Sequence, residues 1–481
     1  MLLRVTNSWT WVEAAEPAEL EWLSEFLTFK EPQRWKGNTP GRVRLLLPRG
    51  GQPAFPTGLL PVLAGGARRN GFAIELLDTR APVPPALLEQ LEHAPWNLTG
   101  RYSHQLEAIR AWLAGGPGLV QDPLPGRGII WAPTASGKGR VAAAIAHAIE
   151  GKWLFAVHRG HLVEDVRDRW QNLTDTEAGL IGDGTWEPGE RLTCATLQSL
   201  HAALSSRAPK FKKLAESITG LIIDEAHTAP AATFYATIQA FKEARLRVGL
   251  SGTPLDRGDK RSLVAVGALG PVVYRIKARD LQEKGVLAVP TVRVIPVYQR
   301  APEHAHEWRE VYEELVVHSD HRNGAILAAM RRSASEGELP GMVFVRSISH
   351  GRKLERMAAA AGLNVAFVSG DANLLRRKTA CKQLESGHLD YIIATKVFTE
   401  GVNVPDLRVV VNAQGGKSVI DTLQQIGRGM RVTATKRTVT VWEFGDSGNG
   451  WMHKHAQERV RACQREGYAC VVDETIWPKT A

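Results

Sequence analysis

The feature that most constrains this chain is the spacing of its short apolar runs. Residues 128–131, 153–157, 192–196, 221–223 and 248–250 are brief hydrophobic stretches. Between them lie segments such as 141–148 and 161–170, patterned with helical periodicity. Short buried strands separated by helices predict βαβ units, and hence a parallel sheet covered on both faces. A second series follows at 342–345, 365–368, 391–394 and 409–411. The fold class expected is therefore α/β, with two tandem parallel-sheet lobes.

A length of 481 residues leaves room for a further domain ahead of them. Residues 42–47 read as a strand, Pro48-Arg49-Gly50-Gly51 as a turn, 59–69 as a short helix and 72–77 as a second strand. The expected division is a small N-terminal α/β domain over 1–85, a first lobe over 98–275, a second over 285–450 and a basic helical extension over 451–481. The Pro-rich segment 81–85 serves as a linker.

With 44% hydrophobic and 23% charged residues, the chain is neither collagen-like nor wholly disordered. Its net charge of +10 is compatible with a polyanionic partner without identifying one. The four cysteines include no C-x-x-C pair, which suggests neither a zinc site nor a disulfide framework and fits a reducing cytoplasm. No apolar stretch reaches membrane-spanning length, and Met1-Leu2-Leu3-Arg4 does not open a signal peptide. No membrane partner is expected.

Two motifs carry the chemistry. After the first strand comes Thr134-Ala135-Ser136-Gly137-Lys138-Gly139-Arg140. A loop of small residues between strand and helix lets backbone N–H groups surround a phosphate, with Lys138 on the β/γ-phosphates. The loop departs from a Walker A pattern twice. Ala135 stands at a usual Gly, and Gly139 at the Ser or Thr that would ligate Mg²⁺. The second motif is Leu221-Ile222-Ile223-Asp224-Glu225-Ala226-His227. An apolar run ending in two acids is a buried strand whose tip enters a site. Asp224 is expected to hold Mg²⁺, with Glu225 beside it orienting and deprotonating the attacking water. His227 is expected to link this strand to the other lobe.

In this order the motifs resemble those of a superfamily 2 DEAH-type helicase of the XPB-like group, a group that includes a phage recombination helicase. The resemblance covers about residues 100–445. It implies that Gln105 reads adenine, and that His158, Arg159, Thr196 and Gln198 contact nucleic-acid backbone. Ser251 and Thr253 would couple hydrolysis to motion. In the second lobe it implies DNA contacts from Arg346, Ser369 and Thr395 and nucleotide contacts from Gly401 and Asn403. Gln424-Gln425-Ile426-Gly427-Arg428-Gly429-Met430-Arg431 resembles the arginine-finger motif. Gln424, Arg428 and Arg431 would act on the transferring phosphoryl group. At i,i+3 on a helix, the two arginines would share one face.

The resemblance thus implies ATP and Mg²⁺ as ligands and sequence-independent binding of branched or duplex DNA. Two other readings stay open: a non-hydrolysing DNA-binding scaffold, which the missing hydroxyl at Gly139 favours, and an RNA helicase. The N-terminal domain is the candidate for recognising a DNA branch, with Trp9, Trp11, Trp22 and Trp35 available for stacking. Three basic clusters are candidate phosphate contacts: Arg207 with Lys210, Lys212 and Lys213; Arg376 with Arg377, Lys378 and Lys382; and Lys454 with Arg459, Arg461 and Arg465.

Overall fold

The computed structural model describes the chain except residues 31–40, 117–121, 159–160, 253–261, 371, 373, 396–403, 405 and 476–481. Two compact units result: Met1–Ala132 with Gly137–Ile276, and Lys277–Ala481 grouped with Pro133–Ser136.

In the first unit, eight strands lie in the order Thr185–Glu187, Gly179–Gly182, Leu192–Thr196, Trp153–Val157, Gly220–Ile223, Leu246–Ser251, Arg127–Trp131 and Val272–Arg275. Only the first pair is antiparallel. The central strands Trp153–Val157, Gly220–Ile223 and Leu246–Ser251 are buried at every residue, as a sheet covered on both faces requires. Their carboxyl ends all open on one edge of the lobe, where the following loops carry the two sequence motifs.

The N-terminal residues form a five-stranded sheet in the order Leu47–Arg49, Gln52–Pro56, Trp9–Ala14, Leu2–Val5 and Glu75–Asp78, with the helix Leu60–Arg69 packed against it. The single strand expected at 42–47 is split. Arg42–Arg44 pairs with Thr28–Lys30, whereas Leu47–Arg49 pairs with Gln52–Pro56. Leu45 between them is buried in the core and donates its N–H to the Leu27 carbonyl. The strand expected at 72–77 is observed at Glu75–Asp78.

This small domain is continuous with the first lobe. Arg247, fully buried, donates to Ser8 Oγ at 2.7 Å and to the Phe241 carbonyl at 2.9 Å. Arg127, also buried, donates to the carbonyls of Asn7 and Ala268. Leu59 packs beside Val266 in the same apolar cluster.

The second unit holds a seven-stranded, wholly parallel sheet in the order Val365–Val368, Tyr391–Thr395, Gly341–Val345, Val409–Asn412, Thr438–Ser447, Val289–Tyr298 and Ala469–Val472. Its helices start on polar caps: the Ser319, Ser347 and Ser418 hydroxyls and the Asn449 amide oxygen accept from first-turn N–H groups.

The separate basic extension expected after residue 450 is corrected here. Helix Gly450–Arg465 packs on strand Thr438–Ser447, and Ala469–Val472 pairs with Val289–Tyr298 as the edge strand. Arg459, a candidate phosphate contact from sequence, is 1% exposed because acids from the neighbouring strand meet it inside the lobe.

Candidate nucleotide and metal site

The loop after strand Arg127–Trp131 begins where the Ala132 N–H donates to the Ser251 carbonyl at 3.0 Å. Ser251, buried at the end of its own strand, thereby fixes where the loop leaves the sheet. Ala135 (φ 67°) and Gly137 (φ 93°) both lie in the left-handed region, bending the chain twice before helix Lys138–Ala148. Alternating left-handed residues turn successive N–H groups inward, the geometry of an anion nest. Gly137 has a second reason to be glycine: an added Cβ would lie 2.3 Å from the Gln105 amide nitrogen. Gln105, buried on helix Ser103–Leu113, therefore packs directly against the end of the loop.

Lys138 opens the helix, and its ammonium donates to the Ala132 carbonyl at 3.1 Å. Asp224 and Glu225 follow strand Gly220–Ile223. Asp224 is anchored by its own N–H to the Ala156 carbonyl at 3.1 Å, and its Oδ1 accepts the Glu225 N–H at 2.9 Å. Glu225 takes a left-handed conformation (φ 50°), unusual for a residue with a side chain and common where a site holds strain. His227 Nδ1 is 3.2 Å from Glu225 Oε2.

The two acids differ electrostatically. Burial, and then the Glu225 charge, push the Asp224 carboxyl up to about 6, with Lys138 opposing. For Glu225 burial works upward, but the His227 hydrogen bond and the Lys138 charge hold it below the ordinary value. A half-buried acid pair with one lysine nearby has an excess of negative charge. That deficit of cation fits a divalent ion carrying anionic phosphates.

Other expected site residues divide sharply. Gln198 donates to the His158 carbonyl, and Thr196 caps helix Leu197–Ser205, so these three lie at adjacent strand ends, where Thr196 pairs with Val157. Arg140 turns away from the phosphate loop: its guanidinium donates to the carbonyls of Pro95, at 2.9 Å, and Trp96. Gly139 faces Arg169, whose guanidinium lies 3.2 Å from where a Cβ would sit. Arg159, Thr253, Gly401, Asn403 and Trp35 lie outside the described residues.

In the second unit, Arg346 follows strand Gly341–Val345, with its guanidinium 5.6 Å from the Tyr312 ring centre. The Thr395 hydroxyl accepts the Gly370 N–H at 2.9 Å, and the Ser369 carbonyl accepts the Ala372 N–H at 3.2 Å. Ser369 and Thr395 thus sit at neighbouring strand ends. Gln424 and Arg428, four apart on helix Val419–Gly429, share a face.

Arg431 does not share it, correcting the expectation of two arginines on one helix. The helix ends at Gly429, and Arg431 forms a bridge with Leu287. Lys436 explains the stop. Its buried ammonium donates to the Gly429 and Leu407 carbonyls, each at 2.7 Å, placing positive charge at the helix C-terminus.

Sequence reasoning missed the support behind this helix. Arg322 Nε donates to Asp446 Oδ1 at 2.8 Å, and Arg459 Nε to Glu443 Oε1 at 2.9 Å. The same arginines donate to the Ala413 and Gly416 carbonyls, holding the loop that leads into the helix. One signal was visible: Val441-Trp442-Glu443-Phe444 places an acid inside an apolar run.

Two parallel-sheet lobes, a phosphate-type loop and an acid pair on a strand tip are the arrangement of a helicase-type fold. The Type III restriction enzyme, res subunit family model matches residues 99–256, and the Helicase conserved C-terminal domain model matches 325–433. In both matched regions the chain is similar to superfamily 2 helicases. Putative helicase 22 of Sulfolobus islandicus filamentous virus is 28% identical over 364 residues, covering 70% of this chain and 62% of that protein. The ATP-dependent DNA helicase uvsW of Enterobacteria phage T4 is 25% identical over 339 residues, covering 67% of this chain and 65% of that one. The chain thus spans less than two thirds of either relative. The DUF1998 helicase MrfA bound to DNA shares the fold, with a TM-score of 0.57 at 15% identity over 82% of this chain and 52% of that chain. No helix among the described residues is long and apolar enough to cross a membrane.

Proposed function

We propose that the protein is an ATP-hydrolysing DNA helicase or translocase, acting on branched or duplex DNA in recombination, repair or replication-fork processing. The observation that carries this reading is the joint electrostatic placement of Lys138, Asp224 and Glu225 beside a loop with two left-handed turns. Lys138 binds the β/γ-phosphates as a point charge. Asp224 ligates Mg²⁺, which when bound neutralises charge on the transferring phosphoryl group. Glu225, kept ionised by His227 and Lys138, orients the attacking water and takes its proton. Gln105 presents its amide to the adenine edge. Gln424, Arg428 and Arg431 place hydrogen-bond donors and positive charge on the transition state. His158, Thr196, Gln198, Arg346, Ser369 and Thr395 contact DNA backbone, so binding is independent of sequence. The DNA-related names of the uvsW and MrfA relatives support DNA as the substrate.

A second reading is a DNA-binding scaffold without turnover. Gly139 favours it, since no hydroxyl is available there and the Arg169 guanidinium approaches that position. One experiment separates them: DNA-stimulated ATPase of the wild type beside Glu225→Gln and Lys138→Ala. We expect wild-type turnover, with Glu225→Gln slower by about 10²-fold or more and nucleotide still bound. No turnover in the wild type supports the scaffold. Stimulation by RNA in place of forked DNA overturns the choice of substrate.

A further inference from the structure

Away from the phosphate loop and acid pair, the first unit holds a second cavity. It measures about 960 Å³ and lies at the seam between the N-terminal sheet and the first lobe. Its walls come from Asn7, Trp9, Trp11 and Arg49 on one side and from the linker residue Arg80 and lobe residues Lys242 and Arg245 on the other. This volume is at the upper end of small-ligand pockets.

Three observations point to its occupant. First, the N-terminal wall is built of flat groups in layers. The Arg49 guanidinium carbon stands 3.7 Å from the Trp9 ring centre, and that of Arg4 stands 5.4 Å from that of Trp11. Trp9 is buried behind this layer, while Trp11 is only half-buried and presents part of its ring.

Second, polar atoms remain after the protein has made its own bonds. The Arg80 side chain is 5% exposed and grips Asp78 through Nε, at 2.8 Å, and Nη2, at 2.6 Å. Its Nη1 has no hydrogen-bond partner among the described residues. Asn7 donates through Nδ2 to the Lys242 carbonyl at 3.1 Å, while its buried Oδ1 accepts from no described residue. A buried donor and a buried acceptor left over in one cavity lining are costly unless a ligand or water meets them.

Third, five cationic side chains line the cavity against the acids Glu150, Glu216 and Glu243. Two of the cations, Arg4 and Arg80, are already paired with Glu13 and Asp78. The remaining three cations, Arg49, Lys242 and Arg245, balance the three acids, so the cavity can take one phosphate at Arg49 and Lys242 but does not attract a long polyanionic tract.

A stacking surface, a spare donor and acceptor, and Arg49 and Lys242 in the same lining are the recognition chemistry of one nucleotide. We propose that this seam cavity takes an unpaired nucleotide of a DNA strand, its base stacked on Trp11 and its phosphate held by Arg49 and Lys242. The inference rests on DNA being the protein's substrate. A strand seated there touches both the N-terminal sheet and the lobe that carries the acid pair. Buried Arg127 and Arg247 hold the Asn7–Ser8 segment of that wall to the lobe. Contact with unpaired DNA at a branch is thereby placed in the same compact unit as the acid pair.

The test uses the full chain without ATP and three probes: a labelled oligothymidine strand, a blunt duplex and free thymidine monophosphate. Fluorescence anisotropy of Trp11→Ala and Arg49→Ala is expected to show oligothymidine binding weakened by about fivefold or more, with blunt-duplex binding unchanged. In the wild type, a strand bearing iododeoxyuridine is expected to photocrosslink to the peptide containing Trp9 and Trp11, a readout that does not depend on the variants folding. Unchanged affinity in both variants, or crosslinks confined to other segments, overturns the inference alone. Competition by thymidine monophosphate at the same concentration as the strand overturns the strand as occupant. Failure of the wild type to bind any DNA overturns the proposed function as well.

Discussion

Among the described residues, each unit holds one pair of arginines exposed by 1% or less, and the two pairs are neutralised in opposite ways. In the first unit, Arg127 and Arg247 donate to carbonyls, an amide oxygen and a hydroxyl. Burial pushes the Arg247 guanidinium down to about 10, and burial together with the Arg247 charge lowers Arg127 further. In the second unit, Arg322 and Arg459 meet Asp446 and Glu443. Burial works against the charge of Arg459, yet the two acids hold it above its ordinary value. Neutral dipoles suffice where the task is to pin one segment of chain, as at Asn7 and Ser8. Paired charges appear where four side chains must fix a loop and the helix after it.

The comparison makes unequal predictions. Removing one member of a buried ion network leaves a charge stranded, at a cost of about 3–5 kcal/mol. Arg459→Ala should therefore cost the most, read as faster amide exchange in strand Val409–Asn412 of the full chain. Arg247→Ala removes hydrogen bonds and also relieves repulsion with Arg127, so the loss should be smaller, about 1–3 kcal/mol, read in strand Leu246–Ser251. Equal losses at the two sites would break the comparison.

Acid should sharpen it. His350, buried in the second unit and 2.8 Å from Asn323 Oδ1, is pushed down to about 3, first by burial and then by the Arg322 charge. The unfolded chain takes up a proton near pH 6.5 and the folded one only near 3. Stability contributed by neutral His350 is thus complete above 6.5 and lost as pH falls toward 3, by about 1.4 kcal/mol per unit. Exchange in Val409–Asn412 should accelerate between pH 6.5 and 5, and His350→Gln should flatten that slope. The smallest effect expected is at Thr196, whose hydroxyl accepts the Ser199 N–H at 3.2 Å. Thr196→Ala should cost about 1 kcal/mol locally in the first unit, measured by exchange at helix Leu197–Ser205.

Much of the fold was legible before any coordinates. Runs at 153–157, 192–196 and 365–368 match observed strands residue for residue. Thr185–Glu187 and Ala469–Val472 were not legible, because edge strands are short and only partly buried and so lack an unbroken apolar run. The acid pair was readable because two carboxylates at the end of a buried strand have few structural uses. Arg140 was misjudged because a basic residue near a phosphate motif looks the same whether it meets a phosphate or a carbonyl, and the placing of Arg431 on the helix failed because the helix ends at Gly429. Arg459 was misjudged because its acids lie on another element, and charge pattern along one helix cannot report a partner across the fold.

Sequence alone determined which segments become the central strands of the two lobes, and that Lys138, Asp224 and Glu225 follow such strands. Those properties follow from local periodicity and from the cost of burying polar groups. Only the tertiary structure decided that Arg127 and Arg247 fasten the N-terminal sheet, that Lys436 ends the helix before Arg431, and that Asn7 and Arg80 meet at one cavity. Each of those outcomes joins residues distant in the chain, and the energy of a buried charge is set by whatever group the fold brings within hydrogen-bond reach.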